Sequence, residues 1–380
     1  MGQDVGYGMG WRLMAGSVTP AFNNQIFVID HWTFTDSTGA EHRLNVNTGG
    51  VWTSTEATYV SFDANTDRLW FQNGSFWYMG CISGGGEQDM GTRYPTIMQD
   101  KNGNQIKLFY DGGLGTNYYN SSARILNIED IRTTGAVPHS YIFEYQNISR
   151  TDGGSDVIPH LVAIRSQIQT GETYYFYRAS GQTLTSPWGD AYGNTDVMQM
   201  VAGAANPNNA ADSNAPNRTY AFIYDASAQL RKVTLPPGGY LRWDYVSQQY
   251  SSARNQMEVQ NRYLKQDAPG QGTGQETVYQ ISHGGTQTVH DTTNIIDPTG
   301  AAKVFSFTSS SANVWQIGLL TSAQKKASLN GALLEGNTVT WALNSSNNPY
   351  VRLLQTQVDD QTSKIQQAID QFGNIVEQDI

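Results

Sequence analysis

The sequence predicts an all-β protein built from antiparallel hairpins. Aromatic residues make up 11% of its 380 residues and charged residues only 15%. Apolar and polar residues alternate over short stretches, and Gly, Asn, Asp and Pro separate those stretches. Aromatic and β-branched side chains pack well on a pleated surface, and alternation turns one face of a strand toward a core. We therefore expect strand, turn, strand as the building unit.

Particular strands and turns can be assigned from this pattern. Alternation is clearest at residues 32–35, 241–245 and 339–343. Turn-forming residues, which tolerate or preset the required φ, cluster at 100–104, 236–239, 297–300 and 372–374. One window is ambiguous, because Val358, Ile365 and Ile369 fall near one helical face. A short helix over 358–370 is therefore an alternative to a strand there.

Charge and cysteine content exclude several function classes. The 33 acidic and 23 basic residues give a net charge of −10, which repels phosphate backbones, so we expect no nucleic-acid partner. The single cysteine, Cys81, excludes an internal disulfide framework and a cysteine-rich zinc site. The sequence also lacks a phosphate-binding loop and a nucleophile elbow. We predict no cofactor.

The ends of the chain indicate a segment of a longer protein. The chain opens on the strand-like residues 5–13 and closes on 373–377, a turn followed by the start of a strand. It contains neither a signal peptide nor an apolar run of about 18 residues, the length a membrane helix needs. We interpret 1–380 as one segment of a bacterial secreted or cell-surface protein, a setting that low cysteine content permits.

The chain contains an irregular internal repeat. Each copy opens with two aliphatic residues three positions apart, continues with a glycine and ends in an alternating strand that closes on tyrosine. The copies are Ile125, Ile128, Gly135 and Tyr145; Leu161, Ile164, Gly171 and Tyr177; and Leu230, Val233, Gly238 and Tyr245. The alternative is that any hairpin-rich protein offers strands ending in tyrosine. Residues 203–218 are polar and aperiodic, and we interpret them as an insertion loop.

These motifs resemble those of a known family. Residues 224–239 resemble a YD repeat, with Tyr-Asp, a short turn, a Leu-x-x-Val strand and a Pro/Gly turn. Residues 369–375 resemble the Tyr-Asp-x-x-Gly-Asn form with Ile replacing Tyr, and 6–13 resemble the glycine-tryptophan segment that precedes RHS repeats. The residues that carry the repeat motif are Tyr110, Asp111, Tyr224, Asp225, Gly238, Gly239, Tyr245, Gly373 and Asn374.

The resemblance to the YD-repeat (RHS) family implies an extended antiparallel β-hairpin ribbon that curls into part of a hollow shell. RHS proteins, the cocoon subunits of bacterial ABC-type toxin complexes and teneurins share this architecture, and the shell encloses a C-terminal toxin or displays a surface. The implied partners are the remainder of the same shell protein and an enclosed toxin. The family's self-cleaving motif contains Asp-Pro-x-Gly-Leu. Here Ala301 replaces the leucine, so we interpret 297–301 as a turn.

Metal-binding patterns are weak. The six histidines are dispersed, and we interpret His283 and His290, seven positions apart around a Gly-Gly turn, as ordinary strand or surface residues. Residues 63–67 alternate oxygen donors as a calcium loop does, but Gly74 stands where an EF-hand needs glutamate. A solvated turn is the alternative, and residues 190–196 are a weaker version of the same pattern.

The favoured function is a structural wall segment without catalytic activity. A carbohydrate- or cell-surface-binding module is the alternative, in which exposed rings stack on sugars. A carbohydrate-active enzyme is less favoured, because it needs two facing carboxylates and neighbours on a strand point to opposite faces. Unpaired edge strands would also favour self-association. The candidate stacking residues, whose other explanation is packing between sheet layers, are Trp70, Trp77, Trp188 and Trp315.

Overall fold

A computed structural model confirms the all-β fold. It describes residues 6–8, 10–23, 28–56, 58–111, 121–130, 139–149, 157–167, 172–185, 191–204, 219–227, 229–250, 254–266, 274–285 and 289–380. In those ranges the helical segments are single turns of 3₁₀ helix at Ser121–Ala123 and Val314–Gln316. The chain divides into two compact units, residues 1–184 with 192–220, and residues 185–191 with 221–380.

Strands of the first unit form a five-stranded sheet and a longer sheet, both antiparallel. The five-stranded sheet has the order β3-β2-β1-β10-β9, and the longer one runs β4 to β8 and then β11 to β16. The strands up to β17 are β1 (Ser17–Phe22), β2 (Ile29–Thr35), β3 (Glu41–Leu44), β4 (Val46–Thr48), β5 (Val51–Thr53), β6 (Val60–Asp63), β7 (Arg68–Phe71), β8 (Phe76–Tyr78), β9 (Cys81–Ile82), β10 (Arg93–Tyr94), β11 (Ile97–Gln99), β12 (Gln105–Tyr110), β13 (Ile125–Asp130), β14 (His139–Ser149), β15 (Val157–Ser166), β16 (Thr173–Thr185) and β17 (Ala191–Ala204).

The five-stranded sheet packs on the first hairpins of the longer sheet. The ring of Trp32 on β2 meets that of Phe62 on β6 with centroids 4.9 Å apart, and both side chains are buried. Phe34 contacts Phe71 and Trp77 from the same side. Edge-to-face ring contacts of this kind add to the free energy gained by burying apolar area. This double layer is the main core of the first unit.

Strands of the second unit follow one another in chain order across an antiparallel sheet. Each pairs with the next through a hairpin. Among the described residues from 221 onward, the buried hydrophobic side chains are Tyr250 and Ala302. The strands are β18 (Thr219–Tyr224), β19 (Leu230–Thr234), β20 (Tyr240–Gln249), β21 (Asn255–Lys265), β22 (Glu276–Gly284), β23 (Thr292–Ile296), β24 (Ala302–Phe307), β25 (Leu320–Lys326), β26 (Leu333–Leu343), β27 (Pro349–Val358), β28 (Gln361–Ile369) and β29 (Ile375–Asp379).

The predicted strands and turns lie where the pattern placed them, whereas the alternative of a helix over 358–370 is wrong. Val358 ends β27 and pairs with Gln361 at the start of β28. Asp359 has φ of 52°, which suits the tight two-residue turn of a hairpin. The aliphatic spacing at Val358, Ile365 and Ile369 spans two strands and their turn. Of the predicted insertion loop 203–218, residues 205–218 lie outside the described residues.

Candidate functional site

A β-bulge recurs where successive hairpins meet. At each one, a residue of one strand pairs with an aliphatic residue of the next strand, and the residue after that aliphatic is extra in the ladder. A bulge of this kind bends the strand and increases its twist. The pairs at these bulges are Tyr110–Ile125, Tyr145–Leu161, Tyr224–Leu230, Tyr245–Val259, Phe307–Leu320, Trp341–Val351 and Ile369–Ile375.

The bulge explains the aliphatic pairs three positions apart. In a regular strand, residues i and i+3 point to opposite faces. One extra residue between them returns both to the same face. Ile125 and Ile128 accordingly lie in one apolar cluster, together with Leu161 and Ile164. The repeat seen in the sequence is therefore a bulged strand that presents two aliphatic side chains on one face.

Aromatic donors hydrogen-bond to the backbone just before the bulge. The Tyr145 hydroxyl donates to the carbonyl oxygen of Ile125 at 2.8 Å, and the Tyr245 hydroxyl donates to that of Leu230 at 2.7 Å. The same bond recurs where the Trp341 indole N–H donates to Leu320 at 2.7 Å. Burial raises the pKa of Tyr145, so its hydroxyl stays protonated and able to donate. Tyr177, the third tyrosine of the repeat, is 45% exposed.

Tyr110 uses the same type of bond one hairpin earlier, and Asp111 has a different role from the other motif aspartates. The Tyr110 hydroxyl donates to the carbonyl oxygen of Pro95 at 2.9 Å. The backbone N–H of Asp111 donates to the carbonyl oxygen of Arg124 at 3.0 Å. The Arg124 guanidinium, which is fully buried, returns a bond to the Asp111 carboxylate at 3.3 Å. Asp111 thus ties the end of β12 to the start of β13.

Asp225 and its counterparts organise the turns between strands. The Asp225 carboxylate accepts the backbone N–H groups of Ser227 at 2.9 Å and Gln229 at 3.0 Å. The same pair of bonds forms at Asp100, Asp297 and Asp370, where hydrogen bonds, first of all from the side chain at Asn104, Thr299 or Asn374, hold the carboxyl pKa below its usual range. A carboxylate that bonds two turn amides replaces the ladder partners that the turn removes. The motif aspartate is therefore a structural residue.

The glycine and asparagine positions of the motif complete these turns. Gly238 and Gly373 have φ of 100° and 90°, a region that side chains with a Cβ rarely adopt. The Gly238 N–H donates to the Leu235 carbonyl at 2.9 Å. The Asn374 side chain donates to the Asp370 carboxylate at 3.0 Å. Gly239 is buried beside Gly238, and its carbonyl accepts the N–H of Leu235 at 2.7 Å.

The glycine-rich N-terminal segment docks on the backbone of the longer sheet. The carbonyl oxygen of Gly6 accepts the N–H of Leu161 at 2.8 Å, and a Cβ at Gly6 would lie 2.4 Å from the Pro159 carbonyl oxygen. The neighbouring Tyr7 is buried, and its hydroxyl lies 3.1 Å from that of Tyr145. The segment that resembles the start of RHS repeats is thus held by residues of the first two repeat copies, Tyr145 and Leu161.

Tryptophan candidates occupy different environments. Trp70 is 37% exposed. Trp77 is half-buried and packs on Phe71 with ring centroids 5.0 Å apart, between the two sheet layers. Trp315 is half-buried in a 3₁₀ turn, and Trp188 lies outside the described residues.

Trp70 belongs to an exposed aromatic row on the β7–β8 hairpin. Trp70 pairs across the strands with Phe76, and Arg68 pairs with Tyr78, which is also 37% exposed. The Arg68 guanidinium lies 5.1 Å from the centroid of the Phe76 ring and 6.0 Å from that of Trp70. We refer to Arg68, Trp70, Phe76 and Tyr78 as the aromatic row. Of these four residues, the sequence analysis identified Trp70. The others could not be predicted, because the turn between β7 and β8 sets the cross-strand pairing that places them beside Trp70.

The calcium-like residues 63–67 form the turn between β6 and β7. The Asp63 carboxylate accepts the Asn65 N–H at 3.0 Å and the Thr66 hydroxyl at 2.7 Å. Asp67 forms an ion pair with Arg93. Protein donors thus contact both carboxylates. Of the weaker pattern at 190–196, Asp190 and the side chains that follow it lie outside what the structure describes, and calcium binding at either place stays a prediction.

A cluster of Glu258, His283 and His290 forms in the second unit, although the sequence interpretation left both histidines without a role. The Nε2 atom of His290 lies 2.8 Å from Glu258 Oε2, and Nε2 of His283 lies 3.5 Å from the same oxygen. The imidazole rings stack with centroids 4.3 Å apart. Each side chain is less than one-fifth exposed. Spacing along the chain could not reveal this group, because its members come from β21, β22 and the connection to β23.

Hydrogen bonds set the electrostatics of this cluster. Burial opposes ionisation of Glu258, but bonds from Tyr250 and His290 outweigh it and hold the carboxyl pKa below its usual range. Burial also opposes charging of His290, yet the Gly285 carbonyl and Glu258 raise its pKa. Burial and the adjacent His290 lower the pKa of His283. The two imidazoles therefore have different electrostatic environments, and both face the Glu258 carboxylate.

Comparisons with known proteins gave matches among solved structures but none among family models or curated sequences. No family model matches the chain, and no curated protein sequence matches it significantly. The chain is similar to the crystal structure of TcdB2-TccC3-TEV, with TM-score 0.43 and 12% identity over 92% of this chain and 16% of that one. It is also similar to the Tc holotoxin pore of Photorhabdus luminescens, with TM-score 0.38 and 12% identity over 94% of this chain and 18% of that one. It spans less than a fifth of those chains. Among the described residues, no helix is long and apolar enough to cross a membrane.

Proposed function

We propose that the chain is a structural wall segment of a secreted YD-repeat shell, with no catalytic activity of its own. The observation that carries this proposal is the β-bulge, formed by an aliphatic residue and one extra residue, that recurs along the sheet in β14–β15, β20–β21, β24–β25 and β26–β27. Bulges are a means of bending a sheet, because each inserts a residue on one strand only. Bulges repeated at equivalent positions favour a ribbon that curls rather than one that stays flat.

The exposure of the second unit also favours a wall. Its described apolar side chains are mostly half-buried, and Ile375 and Val376 on β29 are more than half exposed. A compact enzyme domain of this size would bury a large apolar core. A single sheet layer with two partly wet faces instead suits a partition between an interior and the solvent. The inner contents and the remainder of the shell are the partners that this function requires.

Cysteine labelling of the full-length protein tests the enclosure. Thr362 and Ser363 are adjacent, exposed positions on β28, so their side chains point to opposite faces. Burial, followed by the charge of Glu87, raises the pKa of the native thiol of Cys81 to about 11, which keeps background reaction with maleimide slow. We expect Thr362→Cys and Ser363→Cys to label equally in the isolated segment and unequally in the full-length protein. Equal labelling of both in the full-length protein would refute enclosure.

The aromatic row supports a second candidate function, glycan binding. Exposed Trp and Tyr faces stack on sugar rings, and Arg68 offers hydrogen-bond donors beside them. Titration with neutral and acidic oligosaccharides, followed by tryptophan fluorescence, tests this. Binding that Trp70→Ala abolishes and Trp315→Ala preserves would support it, and the absence of any saturable signal would rule it out. Self-association through sheet edges stays a prediction, which light scattering across a concentration series tests.

A further inference from the structure

We propose that Glu258, His283 and His290 form a binding site for a divalent transition-metal ion, with Zn²⁺ as the ion that the site fits best. In the part of the chain that the structure describes, these residues bring three ligand atoms within 4.8 Å of one another. Two imidazole nitrogens and one carboxylate oxygen are a common protein ligand set for a Zn²⁺ ion that keeps a fourth position for water.

The sheet brings two of the ligands together through its register. Asn261 on β21 pairs with Gln280 on β22. Glu258 lies further along β21 and His283 further along β22, where the His283 Nε2 comes 3.5 Å from Oε2 of Glu258. His290 then comes from the connection between β22 and β23, and its ring lies over that of His283. Two of the ligands therefore lie on paired strands, which hold them more firmly than loops would.

Hydrogen bonds to the other atom of each ligand orient the three donors. The Nδ1 atom of His290 lies 2.9 Å from the Gly285 carbonyl oxygen and 3.1 Å from that of Gly284. Because carbonyl oxygens only accept, Nδ1 carries the hydrogen and Nε2 is the atom that faces Glu258. The Nδ1 atom of His283 lies 3.0 Å from the Thr293 hydroxyl, so its Nε2 also faces the carboxylate.

The carboxylate is oriented in the same way. The Tyr250 hydroxyl donates to Oε1 of Glu258, which leaves Oε2 directed at both imidazoles. The Arg254 guanidinium lies over the Tyr250 ring, 4.6 Å from its centroid. Histidine and carboxylate ligands of protein-bound metals usually have such supporting bonds, and these bonds fix the ligand orientation.

The donor set selects the class of metal. Ca²⁺ and Mg²⁺ prefer shells of oxygen ligands, whereas two imidazoles suit first-row transition ions. Side-chain exposures of 18% for His283, 11% for His290 and 12% for Glu258 leave the site accessible from solvent. A bound ion would join β21, β22 and the turn before β23. The site would then stabilise the sheet at a point where three chain segments meet.

Metal titration of the untagged 380-residue chain tests the proposal. Isothermal titration should give one equivalent of Zn²⁺ with a dissociation constant that is roughly micromolar or lower. Co²⁺ should give the visible absorption bands of a four-coordinate ion at the same stoichiometry. Zn²⁺ should also raise the Tm, because it binds the folded state alone. No saturable binding up to millimolar Zn²⁺ would overturn the proposal.

Variants assign the binding to these residues. His283→Gln and His290→Gln should each abolish the Co²⁺ bands, and Tyr250→Phe, which removes only the supporting bond, should weaken Zn²⁺ binding about 10- to 100-fold. His42→Gln is the matched control, since His42 also lies near a carboxylate, Asp36, at 3.9 Å. It should bind like the wild type. Circular dichroism without metal identifies variants that fail to fold, and either histidine variant that folds decides the outcome. Unchanged binding in a folded His283→Gln or His290→Gln would overturn the assignment.

Discussion

Tyr145→Phe measures what the aromatic donor contributes to a repeat unit. The substitution keeps the ring and removes one hydroxyl, which donates to the Ile125 carbonyl oxygen at 2.8 Å and lies 3.1 Å from the Tyr7 hydroxyl. Ile125 and Tyr7 are each 3% exposed, so water cannot readily replace the lost partner. A buried group left unsatisfied costs about 1–3 kcal/mol. We expect Tyr145→Phe to lower the free energy of unfolding by about 2 kcal/mol.

Urea denaturation monitored by far-ultraviolet circular dichroism provides the assay. The matched control is Tyr177→Phe, because Tyr177 closes its repeat copy as Tyr145 does but is 45% exposed. The Tyr145→Phe midpoint should fall with an unchanged slope, and the Tyr177→Phe midpoint should stay at the wild-type value. Equal midpoints for wild type and Tyr145→Phe would refute the reasoning, as would an equal loss in both variants.

Three further perturbations test the turns and the core. Gly300→Ala should lower the free energy of unfolding by about 1–2 kcal/mol in thermal melts, because Gly300 has φ of 90°. A Cβ there would meet nothing within 4 Å, so backbone strain is the sole penalty. Gly85→Ala is the control, because φ at Gly85 is not positive. Asp297 has a folded-state pKa below its ordinary value, chiefly through the Thr299 hydroxyl, so its contribution is present above about pH 4 and is lost as pH falls through the folded pKa. The Tm of Asp297→Asn should therefore rise relative to the Tm of the wild type as the pH falls from 5 to 2. A Tm difference that does not change with pH would contradict this. Trp77→Ala should lower the free energy of unfolding by about 3–5 kcal/mol in urea denaturation, because it removes the ring that packs on Phe71. Trp70→Ala on the same hairpin should lower it much less.

Local pattern was enough to predict the hairpins, because the information lies in neighbouring residues. Alternation at 339–343 places one face of β26 inward, and Asp297 followed by Gly300 encodes its own turn. The spacing of Ile125 and Ile128 was visible, but its cause was not. Alternation alone would put them on opposite faces, and only the register with β12 reveals the extra residue.

Contacts between distant segments were beyond reach of the pattern. The five-stranded sheet forms because Trp32 and Phe34 find Phe62 and Phe71 across a second layer, and no local signal states which strands stack. Glu258 is likewise separated from His290 by an intervening strand. Dispersed histidines were interpreted as ordinary because ligand spacing along one element is the only pattern a single sequence displays.

The bulged unit accounts for repeats that differ in length yet build one kind of sheet. Its fixed parts are an aliphatic residue, one extra residue and, in several copies, an aromatic donor such as Tyr245. The connection beyond the bulge is not constrained by these contacts, so the short connection 370–374 between β28 and β29 and the longer connection 308–319 between β24 and β25 serve the same geometry. A shift of one residue at the bulge, in contrast, would exchange the two faces of the whole strand. The copies of the irregular repeat accordingly share the aliphatic and aromatic residues at the bulge, whereas their connections differ in length.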